Sequence, residues 1–358
     1  MVLKQFDYRR EADRLLTHRA VSLIGVFHKH MGMKKTLGLL APHCLDKMAR
    51  SAIIQLANTN TLSYGFHVTF QRIKELTIDK QPPKNEMEAS ISRYTRALSI
   101  ISDGKFTHEN LMSDIIALNN VLVYDTLDST KCQWRIHDKP LSHFVSVDES
   151  TVSLPPADMV EPLVAAMCKN YSTVIKSGEV DPLLIIPVFV MDLQVIQPFD
   201  RGLFEMPRLI TYYLMQWAGY GIGDSINLDQ YITRNKLGAY HHYPQIQKGW
   251  ETGENDYQQL LYDWTNGMRE SCNLFEEWVE FFSTSYTTTD LVAKVMSLHK
   301  GSMSKREIMG YIPDVGEASV EVALNNLKKK GLISMSSSGR YAEYTYIGTE
   351  VKISEQPK

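Results

Sequence analysis

The chain has 358 residues, 44% hydrophobic and 22% charged, with a formal net charge of −3. That composition supplies a real core and excludes wholesale disorder, collagen and coiled-coil arrays. The charge balance excludes a strongly basic, histone-like chain while leaving room for a local basic patch.

At roughly 100–200 residues per domain, the length predicts two or three domains. Cys44, Cys132, Cys168 and Cys272 form no CxxC pair. They predict reduced thiols and argue against a zinc ribbon or thioredoxin chemistry. The N-terminus has no apolar h-region, and no apolar run reaches the roughly 18 residues of a membrane span. A cytoplasmic protein with no membrane partner is the expectation.

Residues 9–30 place Leu15, Leu16, Val21, Ile24, Val26 and Phe27 at amphipathic helical spacing. The helical pattern continues over 44–77. Residues 80–90, KQPPKNEMEAS, are polar with two prolines and read as a loop. Residues 87–125 predict two helices broken at Asp103-Gly104, the second opening on a capping Thr107. Residues 131–147 set aromatic and β-branched residues around His137-Asp138-Lys139-Pro140, a strand–turn–strand signal. LPPADMV reads as a loop entering a helix, with Pro156 near its start.

Residues 182–217 carry two long apolar stretches joined by QPFDRGLFEMPR, where two prolines and Gly202 mark a turn. Two or three further helices fill 225–283. The polar run STSYTTTD predicts a domain boundary. Beyond it, DLVAKVMSL, SKREIMGYI and EASVEVALNNLKKKGLI read as three helices, and ISMSSSGRYAEYTYIG as a β-hairpin. Three helices and a two-stranded wing is the order of a winged helix-turn-helix. The expected domains are 1–85, an N-terminal helical region; 86–284, a helical core; and 285–350, the winged helix.

The segment from Ile196 through Gln197-Pro-Phe-Asp-Arg-Gly-Leu-Phe-Glu-Met-Pro to Arg208 resembles the Fic family signature, H-P-F-x-[D/E]-G-N-G-R-x-x-R. Fic proteins are helical enzymes that usually transfer AMP from ATP to a protein hydroxyl. Their motif lies in a loop between two buried helices. The resemblance implies a mostly α fold: a Fic-like helical core with a small β-hairpin flap, plus the C-terminal winged helix-turn-helix.

In the family the histidine is the general base and the acidic residue holds Mg²⁺. The Gly-Asn-Gly backbone makes an anion nest, and the arginines neutralise phosphate charge. Here Pro198, Phe199, Gly202 and Arg208 match. Gln197 stands at the base position, and Arg201 replaces the acid with the opposite charge. Leu203 and Phe204 replace Asn-Gly, and Glu205 replaces the first arginine. Losing a catalytic base costs about 10²–10⁴-fold in rate. Glu205 repels a triphosphate and Arg201 repels Mg²⁺.

Other segments extend the resemblance. Tyr231, Asn235 and Tyr240 match the helix that frames the nucleotide base, so they join Gly202 and Arg208 as candidate nucleotide or anion ligands. Trp134 and Arg135 match the flap, which grips target peptide by β-augmentation. Ser51 and Ile54 match positions of the self-inhibitory S-S-x-I-E-G motif, with Ile54 where its glutamate stands.

Plainer readings compete. Gln197–Gly202 suits any interhelical turn, and Phe199 is a core anchor in either case. Arg208 can pair locally with Glu205. His28, His30, His241 and His242 lack metal-binding helical spacing and read as surface residues, so no metal site is expected. Trp250, Trp264 and Trp278 read as core. Lys328, Lys329 and Lys330, with Arg340, are DNA-contact candidates. The lysines also suit a helix C-terminus, and Glu317 and Glu321 oppose DNA phosphates.

The leading expectation is a Fic-fold protein with a decayed motif, a weak or inactive protein adenylyltransferase acting in regulation or signalling on an unidentified protein partner. One alternative is an active AMP or phosphoryl transferase, with ATP and Mg²⁺ as cofactors and Asp192 or Asp200 as base. Another is a DNA-binding transcriptional regulator. A homodimer fits any of the three.

Overall fold

The computed structural model describes residues 4–63, 68–128, 134–138, 154–221, 225–228, 242–283, 286–299, 301–336 and 342–348. The fold is mostly α, with one small antiparallel sheet. Two compact units make up the chain, and neither is continuous in sequence. The first holds Met1–Lys35, Lys84–Asp224 and Leu228–Cys272; the second holds Thr36–Pro83, Ser225–Asn227 and Asn273–Lys358. Among the described residues, no helix is long and apolar enough to cross a membrane.

The N-terminal pattern predicted as one helix is two, α1 (Tyr8–Leu15) and α2 (His18–Leu40). Thr17 causes the break: its hydroxyl accepts from the Ala20 amide at 3.2 Å and restarts the helix. Next come α3 (Pro42–Ser63) and α4 (Phe70–Thr77). The polar loop ends at Asn85, which caps α5 (Glu86–Ser102) by accepting from Glu88 at 3.0 Å. Thr107 is not the cap of α6 (Leu111–Tyr124). Asn110 takes that place, accepting from the Ser113 amide at 3.2 Å. His30 and His242, expected on the surface, are buried.

The first unit is built around α8 (Pro182–Ile196), whose residues from Leu183 to Ile196 are all buried. A helix apolar on every face belongs inside a core. Asp181 caps it, accepting from Leu183 at 2.9 Å, and Pro182 sits where its missing N–H costs nothing. Around α8 pack α1, α7 (Val160–Ser177) and α9 (Glu205–Trp217); α5 and α6 pack against α9. Two helices follow, α10 (Tyr243–Gln247) and α11 (Gln258–Ser283). Of the expected flap only residues 134–138 are described, and they carry no strand. The rest of that hairpin lies outside the described residues.

In the second unit α3 and α4 pack against the C-terminal elements. These are α12 (Thr288–His299), β1 (Ser302–Ser304), α13 (Lys305–Tyr311), α14 (Glu317–Lys329), β2 (Ile333–Met335) and β3 (Glu343–Tyr346). The predicted hairpin is the β2–β3 pair, with Ile333 opposite Tyr346. A third strand, β1, adds to β3 in the order β1-β3-β2. Three residues are too few to show an alternation in sequence. Ser304 and Glu307 form a capping box that starts α13. Trp278 is buried and stacks on Tyr311 with centroids 5.0 Å apart. Trp250 is buried as expected and Trp264 half-buried.

Candidate functional site

The motif loop begins where α8 ends. The Gln197 amide donates to Leu193 at 3.0 Å, and its φ of 44° is left-handed. That conformation costs a non-glycine residue about 1–2 kcal/mol, and it turns the chain sharply out of the helix. Phe199 is buried and stacks on Trp134, with centroids 5.2 Å apart and planes 22° from parallel.

Arg135 holds this turn. Its amide donates to the Pro198 carbonyl at 2.8 Å. Arg135 is 1% exposed. Nε donates to Gln197 O at 3.2 Å and Nη2 to Pro155 O at 2.8 Å and Ile196 O at 3.4 Å. Nη1 donates to His137 O at 3.2 Å. A cation thus sits on carbonyls that a helix C-terminus leaves unpaired, at the negative end of its dipole. Burial pushes the guanidinium pKa down, but arginine stays charged. Both residues assigned by resemblance to target gripping are turned onto the motif loop.

Gly202 has φ of 76°, and a Cβ there would sit 3.2 Å from Asn119 Nδ2. That same nitrogen donates to Arg201 O at 3.2 Å. Glycine is required on both counts. Beyond it α9 starts at Glu205. Arg208, 7% exposed, folds its Nε back onto Phe204 O at 3.1 Å, with its guanidinium 5.2 Å from the Tyr94 ring centre. Glu205 is buried one turn earlier. Arg201 is exposed, 3.9 Å from Glu86.

A cleft lies against this loop, lined by Gln194, Gln197, Arg201, Gly202, Leu203 and Met206 among others. Its volume is about 30 Å³, room for about two waters. Pockets that enclose drug-sized ligands run to about 300–1,000 Å³.

No family model matches the chain, and no curated protein matches it. Solved structures do. A Fic family protein from Desulfovibrio desulfuricans G20 aligns with a TM-score of 0.51 and 14% identity, over 94% of this chain and 98% of its own. A Fic domain containing signaling protein from Bacteroides thetaiotaomicron VPI-5482 aligns with a TM-score of 0.54 and 14% identity, over 75% of this chain and 100% of its own. The chain has a Fic-like fold. At such identity the likeness speaks for the fold and leaves function to the site.

Within the Fic-like fold, Asp192 is not a spare base. It is 1% exposed and accepts from Tyr8 OH at 3.0 Å, Trp250 Nε1 at 2.7 Å and Tyr257 OH at 2.5 Å. Lys4 Nζ lies 3.9 Å away and donates to Trp250 O at 2.9 Å. Burial pushes the Lys4 pKa down. It pushes the Tyr8 and Tyr257 hydroxyls well up, and the nearby carboxylate adds to the shift. Asp200 is exposed on the loop.

Sequence reasoning missed a second polar relay. Tyr213 of α9 donates its hydroxyl proton to Asp114 of α6 in a short hydrogen bond. It therefore accepts from His108 Nδ1, 2.9 Å away. The His108 ring stacks on Trp217, centroids 5.1 Å apart, and its backbone is left-handed with φ of 59°. Burial lowers the His108 pKa and raises that of Asp114. Tyr213 lies 105 residues from His108 and 99 from Asp114, too far for any spacing to reveal the relay.

The other candidates fall as follows. Tyr231, Asn235, Tyr240 and Arg340 lie outside the described residues. Ser51 and Ile54 lie in the second unit, where Ser51 donates to Gly310 O at 3.2 Å and Ile54 is buried. Lys328, Lys329 and Lys330 are exposed at the end of α14. At its start Glu317 and Glu321 each hold Lys305 at 2.6 Å. His28 pairs with Asp181 at 2.8 Å and His242 with Asp263 at 3.1 Å. Among the described residues no group of three His, Cys, Asp or Glu could hold a metal.

Proposed function

We propose that this Fic-fold protein has lost AMP transfer at its motif loop and acts by binding, in regulation or signalling. One observation carries the reading: the base position is Gln197, buried, in a turn that Arg135 pins in place. A carboxamide has no nitrogen that titrates near neutral pH, so it cannot take a proton from a target hydroxyl. The charges on either side agree. Arg201 stands where Mg²⁺ would be held, and Glu205 where phosphate would be neutralised. The likeness to a Fic domain containing signaling protein supports the placement in signalling.

The order α12, α13, α14, then β2 and β3, suits a winged helix in the tail. The carboxylates of Glu317 and Glu321 at the start of α14 favour packing or dimerisation over contact with DNA phosphates.

The test is an AMP-transfer assay with labelled ATP and Mg²⁺ on the wild type and on Gln197→His. Neither is expected to incorporate label, because Arg201, Phe204 and Glu205 still oppose the nucleotide in the variant. Labelling by the wild type would overturn the reading.

A further inference from the structure

Helix α14 turns Val320, Ala323, Leu324 and Leu327 into the core of the second unit, where it packs on α12. Its opposite side is open. Ala318, Val322, Asn325 and Lys329 recur there at spacings of four, three and four residues, and all four are exposed. That spacing draws one stripe along a helix and is the seam spacing of a two-helix coil. Val322, in the middle of the stripe, is 58% exposed.

The residues beside the stripe are sorted. Glu321 and Lys328 each stand one position before a seam residue, so they share one flank. Ser319 and Asn326 each stand one position after a seam residue and share the other. Charge reverses along the helix, with Glu317 and Glu321 in its first half and Lys328 and Lys329 in its last turn. The helix dipole favours that order, but it does not place the charges on one flank of an open seam. Lys305 holds Glu321 through Oε1, which leaves Oε2 to accept from a second cation.

Such a pattern is complementary to itself when reversed. In an antiparallel pair related by a two-fold axis, each flank meets its own counterpart. Glu321 then faces Lys328 of the second copy, and Lys328 faces Glu321 of the second copy. Ser319 faces Asn326 on the other side. Within the seam Val322 lies against Asn325, and Ala318 against the hydrocarbon stem of Lys329. A partner of one sign meets the wrong charge on half of this helix, and DNA phosphates meet Glu317 and Glu321.

We propose that α14 is a homodimer interface, in which two copies of this helix pack antiparallel about a two-fold axis between Val322 and Asn325. The inference concerns the second unit and goes beyond the reading of the motif loop. An AMP-transfer assay does not report on it, so either can fail alone.

Sedimentation velocity on the full chain, from about 1 µM to about 1 mM, is the experiment. A seam of three turns makes a small interface, and a reversible dimer with a Kd on the order of 10 µM is expected. Glu321→Lys and Lys328→Glu each set like charges against each other and should weaken self-association by about tenfold or more. An equimolar mixture of these two variants should dimerise near the wild-type affinity, because every flank contact then pairs lysine with glutamate. The double swap in one chain should do the same, which also shows that the substituted helix folds. Val322→Glu, which places two carboxylates in the seam, should leave a monomer with an unchanged melting temperature. A wild type that stays monomeric over the whole range would overturn the proposal. So would a dimer indifferent to Val322→Glu, or a mixture of the two single variants that does not associate. Duplex DNA that binds the wild type and is lost in Val322→Glu would assign the face to nucleic acid and overturn it too.

Discussion

The Arg135 guanidinium meets the Gln197 carbonyl at 3.2 Å, at the point where the central helix of the first unit ends. Arg135 also holds Ile196 O and Pro155 O. One buried side chain therefore fixes the end of α8, the start of the motif loop and the entry to α7. The loop geometry depends on a residue more than sixty positions upstream.

Arg135→Met is expected to destabilise the protein by about 3–5 kcal/mol, because it strands several buried carbonyls. Arg135→Lys should recover little of the loss, since an ammonium cannot reproduce the planar fork. Urea unfolding of both variants is the check. A loss below about 1 kcal/mol would show that water replaces the guanidinium.

The Lys4–Asp192 pair should respond unequally to its two truncations. Asp192→Ala leaves Lys4 buried without a counter-charge, with an expected cost of about 3–5 kcal/mol. Lys4→Met leaves Asp192 three hydrogen-bond donors, Tyr8, Trp250 and Tyr257, and should cost less. In the double variant the two losses should not add, because one network is removed twice. Thermal melting of the three variants tests the order.

His108 should make stability depend on pH. Its pKa in the folded chain lies below the ordinary 6.5, so the unfolded chain binds its proton more readily. Its contribution is complete above about pH 6.5 and is lost as pH falls through the folded value. Asp114, raised from 3.8, works the other way, in a lower window that opens above 3.8. Tyr213 and Trp217, which face the ring, stay neutral throughout. Urea unfolding at about pH 7.5 and about pH 5.5 should show a loss in the wild type. His108→Asn tolerates the left-handed backbone and does not titrate, so it should flatten that step.

DNA affinity is expected to be weak and to change little when Lys328, Lys329 and Lys330 become alanine, because the carboxylates of Glu317 and Glu321 at the start of the same helix oppose DNA phosphates. Fluorescence anisotropy with duplex DNA across a salt series is the measurement. A strong salt slope that drops by about 0.9 per lysine removed would restore the DNA-binding alternative.

The parts of the fold visible in sequence were those with local causes. The apolar runs of α8 and α9 and the Pro and Gly residues between them located the motif loop. The β2–β3 pair was legible because alternation and a Ser-Gly turn lie next to each other. Where two caps competed within four residues, Thr107 against Asn110, side-chain geometry decided and spacing could not. Long-range partners were invisible. Nothing near Arg135 announces that its donors go to the end of α8. The packing of α3 on α13 likewise joins segments from opposite ends of the chain. The motif comparison identified the loop residues, but the burial of Gln194 and Gln197 in one cleft emerges only in three dimensions.

The central claim is that the motif loop no longer serves a nucleotide. Calorimetric titration with ATP, with and without Mg²⁺, tests it directly. The account predicts no binding down to millimolar affinity, about −4 kcal/mol, because the Glu205 carboxylate opposes a phosphate and Arg208 is folded onto Phe204 and Tyr94. Micromolar binding that is strengthened by Mg²⁺ and lost in Arg208→Ala would contradict it.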